Sequence, residues 1–156
     1  MDVSKINSLV ELYFKKVEQI DKKKPFLKWL NPKNNHQYNW EEVTEKIYKF
    51  SYKIKSLIKE GDRVLLLSEN RPEWLIADLA IMNAGGITVP IFTTYAERDY
   101  EYILKDCSPS LIVVSNDTQF EKIKKFINNK EIISFEKIKT SSITFESIFK
   151  EKYEKT

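Results

Sequence analysis

A single cysteine, Cys107, stands among 156 residues. No internal disulfide can form, and a reducing cytoplasm is the expected setting. Glycine is nearly as scarce, with only Gly61, Gly85 and Gly86. Ser68-Glu69-Asn70-Arg71-Pro72 is no G-x-G-x-x-G turn and no Walker A loop is present, so the backbone has no cradle for a pyrophosphate. No cofactor is expected on this chain alone. The lone histidine, His36, cannot make a metal centre, which needs several convergent ligands. It also leaves Ser68, Thr93 and Thr94 without a Ser-His-Asp context. Arginine occurs only as Arg63, Arg71 and Arg98, and the net charge is a modest +3. Lysines alternate with acids, as in Lys15, Lys16 and Glu18, or Glu121, Lys122, Lys124 and Lys125. These read as solvated helix faces, and no nucleic-acid partner is expected. No apolar run approaches the ~20 residues of a membrane span. No charged n-region leads into an apolar h-region at the N-terminus. Peripheral contact with a membrane and homodimerisation stay open.

What is present suits one ordinary domain. Hydrophobic residues make up 42% and aromatics 13%, enough for a chain of this length to bury roughly 68–70% of its unfolded surface. The centre is Gly61 to Thr94. Arg63–Ser68 is a short Val/Leu run bounded by Gly61-Asp62 and Glu69-Asn70, the pattern of a strand buried on both faces. Pro72 suits the first turn of a helix, in which Trp74, Leu75, Asp78, Leu79 and Met82 form a stripe. Gly85 and Gly86 end it in the left-handed conformation. Ile87–Ile91 follows as a strand that Pro90 places at an edge or an end. The result is a β-α-β unit with parallel strands and a right-handed crossover.

Before this unit, Ser4–Gln19 reads as a helix, Lys22–Lys24 as a basic turn, and Pro25–Leu30 and His36–Tyr38 as a hairpin around an Asn31–Asn35 turn. Asn39 and Glu42 make a capping box for a helix carrying Trp40, Val43, Ile47, Phe50, Ile54 and Leu57. After it, Thr94 and Glu97 suggest a cap for a helix with Tyr100, Ile103 and Leu104, stopped at about Asp106 by Ser108-Pro109. Leu111–Val114 is a strand. Asp117 caps a helix with Phe120, Ile123, Phe126 and Ile127, ended by Asn128-Asn129, and Ile132–Phe135 is a further strand. A polar linker, Lys137–Ser142, precedes a short helix, Thr144–Tyr153, with Phe145, Ile148 and Phe149 inward. The alternation predicts an α/β fold: a Rossmann-like parallel sheet with helices on both faces, preceded by a helix and a hairpin. Residues 1–38 would hold the helix and hairpin, 39–136 the βαβαβαβ core and 137–156 the linker and last helix.

Ligands are expected beyond the carboxyl ends of the strands, at Ser68 to Arg71, Phe92 to Tyr95 and Ser115 to Asp117. Arg71 could meet an anion there, but a salt bridge to Glu73 or Asp78 fits better. The helical register of Trp74 favours core packing over ligand stacking. Cys107 ends a helix, where the dipole disfavours a thiolate, and is expected to be a bystander.

Gly61-Asp62-Arg63-Val64, Asn70-Arg71-Pro72-Glu73-Trp74, Ala84-Gly85-Gly86, Val89-Pro90-Ile91 and Thr94, in this order and spacing, resemble the N-terminal region of adenylate-forming enzymes, above all long-chain acyl-CoA synthetases. The hairpin and aromatic-led helix extend the resemblance back to about Tyr38. It implies the N-terminal subdomain of the adenylate-forming fold. The complete enzyme would activate a fatty acid with ATP and Mg2+ and pass the acyl group to coenzyme A. The family's phosphate loop, aromatic-Thr-Glu motif, ribose-binding aspartate and C-terminal lysine have no counterpart between Met1 and Thr156. No catalytic, cofactor or metal residue is carried over, and the chain alone is expected to be inactive. Gly86 departs from the family's usual alanine and is expected to loosen the helix end slightly. The partner implied is the remainder of the parent enzyme. The alternative is a free-standing binding or assembly module without catalysis.

Overall fold

The computed structural model describes residues 5–30, 35–140 and 142–150. Helix α1 (Leu9–Gln19) leads into the antiparallel hairpin β1 (Pro25–Trp29) and β2 (His36–Asn39) and then α2 (Trp40–Lys55). The sheet follows as β3 (Arg63–Leu67), α3 (Pro72–Asn83), β4 (Ile87–Ile91), α4 (Glu97–Cys107), β5 (Leu111–Val114), α5 (Asp117–Ile123), β6 (Glu131–Ser134), β7 (Ile143–Thr144) and α6 (Phe145–Lys150). All five sheet strands are parallel, in the order β4-β3-β5-β6-β7. Pro90 therefore sits on an edge strand, where its missing N–H breaks no ladder. The Asn31–Asn35 turn lies largely outside the described residues, as do Ser4 and the chain beyond Lys150.

Strand alternation splits the core in two. Val64, Leu66, Leu111, Val113 and Ile133 pack with α1, α2, α3 and α6 on one face. Leu65, Leu67, Ile112 and Val114 pack with α4 and α5 on the other. Helices thus cover both faces, as the alternation of elements predicts.

Several local expectations are corrected. Helix α1 begins at Leu9, because Ser8 Oγ accepts from the Glu11 N–H and fixes the start. The stripe read on α3 is only part of its buried surface: its Leu79 is buried, but Trp74, Leu75 and Met82 are partly buried, while Ile76, Ala77, Ala80 and Ile81, outside the stripe, are fully buried. A helix wedged between the sheet and two other helices needs apolar residues all round. Of the pair Gly85-Gly86, only Gly85 adopts positive φ, at 86°. Gly86 donates to Ile81 O at 2.9 Å and Gly85 to Met82 O at 3.1 Å, the paired bonds of a Schellman motif. A Cβ on Gly86 would lie 2.8 Å from Ile58 Cδ1, so this glycine tightens the helix end rather than loosening it.

Thr94 does not cap α4. The half-box there is Asp99 Oδ2 accepting from the Ala96 N–H at 3.1 Å. Ser108 stops α4 in the left-handed conformation (φ 42°), not the extended one a following proline favours. Asn116, not Asp117, caps α5, accepting from the Gln119 N–H at 3.2 Å. Helix α5 ends at Ile123 and a single 3-10 turn carries Phe126. The polar linker leads into a short strand, β7, that the sequence pattern did not suggest. The Asn39–Glu42 capping box is present as read, at 2.9 and 2.8 Å.

Candidate functional site

From β3 the chain passes through α3 on one face to β4, then returns through α4 on the other face to β5. The carboxyl ends of β3 and β5 therefore turn opposite ways, and the crevice between them is the position where doubly wound sheets take ligands. The expected strand-end residues converge there. Glu69 Oε1 accepts from Asn116 Nδ2 at 3.3 Å and from Gln119 Nε2 at 2.5 Å. Gln119 Oε1 accepts from Lys122 Nζ at 2.8 Å, and Lys122 also donates to Thr93 O at 2.6 Å. One relay thus ties together the ends of β3, β4 and β5. Burial opposes the charge on Glu69, but the dipoles of Ser115, the local backbone, Gln119 and Asn116 outweigh it and hold the carboxyl below its ordinary value. Ser115 Oγ is fully buried, near enough to favour that anion, yet has no partner in hydrogen-bonding geometry.

Arg71 leaves the same strand end toward the opposite face. Its Nε and one terminal nitrogen grip Glu73 at 2.9 and 3.3 Å, and the other donates to Glu136 at 2.6 Å. The guanidinium lies 4.8 Å from the Trp29 ring centroid and 5.5 Å from that of Phe135. Its side chain is 8% exposed. The Glu73 bridge is the one the sequence offered; Asp78 is not a partner of Arg71, and Glu136, 65 residues on, carried no local signal. Nearby, burial and the Glu73 carboxylate push Tyr38 up to about 12. Lys46 Nζ sits 4.1 Å from the Phe149 ring centroid, and burial lowers its pKa.

The remaining candidates fall apart from the crevice. Trp74 packs against the larger core cluster. Cys107 is buried in the smaller one, where burial raises its pKa. His36 is exposed on β2, edge-on to Tyr38 at 4.3 Å. Among the described residues no three His, Cys, Asp or Glu side chains converge as a metal site. At the crevice the Glu69 carboxylate and the nearby Arg71 guanidinium are both held by side chains of this chain.

The model of the AMP-binding enzyme family matches residues 14–155. The chain is 38% identical over 96 residues to the long-chain-fatty-acid–CoA ligase ACSBG2 of Gallus gallus, covering 58% of this chain and 12% of that protein. It is 32% identical over 95 residues to the long-chain-fatty-acid–CoA ligase ACSBG1 of Homo sapiens, covering 57% and 13%. The chain thus matches about an eighth of the length of these relatives. Among solved structures, the luciferase-like enzyme of the nonluminescent Zophobas morio mealworm superposes with a TM-score of 0.79 at 20% identity, over 99% of this chain and 36% of that one. The anthranilate CoA ligase AuaEII, in complex with anthranoyl-AMP, gives 0.75 at 20% identity over 95% and 28%. The fold is that of the N-terminal region of adenylate-forming enzymes, and the chain belongs to the AMP-binding enzyme family.

Proposed function

We propose that this chain is the N-terminal framework of an ATP-dependent long-chain fatty-acid–CoA ligase. The observation that carries the reading is the pairing of a family match across residues 14–155 with relatives named as long-chain ligases. In the complete enzyme the fatty carboxylate attacks the α-phosphorus of ATP and pyrophosphate leaves. The thiol of coenzyme A then displaces AMP from the acyl-adenylate. Mg2+ supplies charge neutralisation at the phosphates in such chemistry. The residues present here hold framework positions. The Glu69 relay fixes three strand ends, and Arg71 fixes the hairpin against the residues just after β6. The phosphate loop and the catalytic lysine belong to the remainder of the enzyme, which is the partner this framework fits.

The test is ATP–pyrophosphate exchange with a long-chain fatty acid. The chain alone is expected to show none. Joined in frame to the remaining length of a long-chain ligase from a relative, it is expected to support exchange dependent on fatty acid. Exchange by residues 1–156 alone overturns the framework reading. A folded fusion that stays inactive favours the free-standing assembly module.

A further inference from the structure

Helices α1 and α3 meet on the same face of the sheet and leave an apolar groove between them. Leu9 and Leu12 line it from α1, Leu75 and Leu79 from α3, and Phe26 and Trp40 from the hairpin and the start of α2. The Phe26 and Trp40 rings stack with centroids 3.8 Å apart, so that part of the lining is rigid. Leu9 is 61% exposed, a large apolar group that no described residue covers. Two charged side chains share this lining. Lys16 continues the α1 stripe, seven residues after Leu9 and four after Leu12, and Asp78 interrupts the α3 stripe between Leu75 and Leu79. Their charged neighbours are paired: Lys15 bridges Glu11 at 2.6 Å, and Glu73 holds Arg71. Lys16 and Asp78 themselves form no ion pair among the described residues, neither with each other nor with another group.

We infer that the α1–α3 groove is the interface of a two-fold dimer, and that its occupant is the same groove of a second copy of this chain. A two-fold axis sets residue i against residue j and residue j against residue i, so the surface it uses must match itself. An apolar groove carrying one unpaired cation and one unpaired acid meets that condition. After a half-turn Lys16 of one copy faces Asp78 of the other, and the reverse pair forms at the opposite end. Leu9 and Leu12 of each copy then lie over the groove of the other, and the four helices pack as a bundle. The apolar contact supplies the attraction, while the two charge pairs select the register and reject a shifted or head-to-tail arrangement. The inference goes beyond the ligase reading and stands whether or not that reading holds.

Sedimentation equilibrium of the full chain over a range of concentrations tests this. A monomer–dimer equilibrium is expected, with no larger species. Lys16→Glu sets acid against acid at both ends of the interface, and Asp78→Lys sets cation against cation. Each variant alone is expected to associate about 100-fold more weakly. An equimolar mixture of the two is expected to recover association to within about 10-fold of the parent chain. In that mixed dimer the introduced acid meets the introduced lysine, and Lys16 of one copy meets Asp78 of the other. Recovery also shows that both variants are folded, which a merely structural role for either residue would not produce. Leu9→Ser weakens association several-fold. Lys130→Glu, exposed elsewhere, changes net charge as Lys16→Glu does and leaves association intact. A chain that stays monomeric at every concentration, single charge variants that dimerise as tightly as the parent, a mixture no better than either variant alone, or association that continues past two copies overturns the inference.

Discussion

Glu69 and Arg71 leave one strand end two residues apart, and their charges are met in different ways. Arg71 turns to the hairpin face, where two carboxylates and two aromatic rings surround it. Glu69 turns to the α5 face, where neutral amides of Asn116 and Gln119 hold it. The first corner is charge against charge, with a guanidinium that stays protonated throughout the accessible pH range. The second leans on dipoles, so its stabilisation depends on the carboxyl staying ionised. The two corners also join different parts. Arg71 ties β1 and the residues just after β6 to the start of α3, whereas Glu69 ties the end of β3 to that of β5 and, through Gln119 and Lys122, to that of β4.

Removing the cation breaks the first corner most severely. Arg71→Met keeps the stem but leaves Glu73, with a side chain 16% exposed, beside a buried apolar group. Removing one partner of a buried ion pair is strongly destabilising, and half-exposed Glu136 tempers the loss. We expect about 3 kcal/mol lower stability in urea unfolding at neutral pH. A loss below about 1 kcal/mol would class this bridge with ordinary surface pairs.

Glu69→Gln tests the second corner with a pH signature. The folded-state pKa is depressed below the ordinary 4.5. The ionised group therefore contributes stability above that value and loses it as pH falls through the folded pKa. At neutral pH the variant is expected to be about 1.5 kcal/mol less stable, the scale of hydrogen bonds to a charged group. Well below pH 4.5 the two proteins should converge. A gap that persists unchanged into acid would mean that shape, not charge, governs this corner.

A smaller effect separates the rings from the carboxylates around Arg71. Trp29→Leu removes one face of the guanidinium's aromatic contact and is expected to cost about 1 kcal/mol. In an Arg71→Met background the same change should cost markedly less, because the cation it served is gone. Equal cost in both backgrounds would show that Trp29 only packs the hairpin.

How far these corners were legible in the sequence follows from distance along the chain. Glu73 is two residues from Arg71, so the bridge could be read. Glu136 is 65 residues away and Gln119 lies 50 from Glu69, and no local pattern encodes such pairs. The strands and most helices were legible because β-type runs and helical stripes are local: Arg63–Leu67, Ile87–Ile91 and Leu111–Val114 stand where their Val, Leu and Ile content puts them. Helix starts shifted where a neighbouring residue offered the better cap, Ser8 for α1 and Asn116 for α5. The stripe on α3 misled because a helix buried on several sides has no single apolar face. Strand β7 has only two residues, too few to show alternation. The site residues were legible only as strand-end positions, since their partners are set by topology.

The smallest effect carries the finest distinction between the two corners. Ser115 Oγ is fully buried beside the Glu69 relay and no atom meets it in hydrogen-bonding geometry. A buried hydroxyl left unpaired costs desolvation with no return, so deleting it is expected to be neutral or slightly stabilising. Ser115→Ala should therefore change unfolding stability by no more than about 0.5 kcal/mol and leave the acid dependence due to Glu69 nearly as it was. If the hydroxyl instead donates to the carboxylate, the variant loses about 1 kcal/mol at neutral pH, and that loss fades in acid as Glu69 takes up its proton. The second outcome would add a third donor to the dipole-held corner and make its acid sensitivity larger than the two amides alone provide.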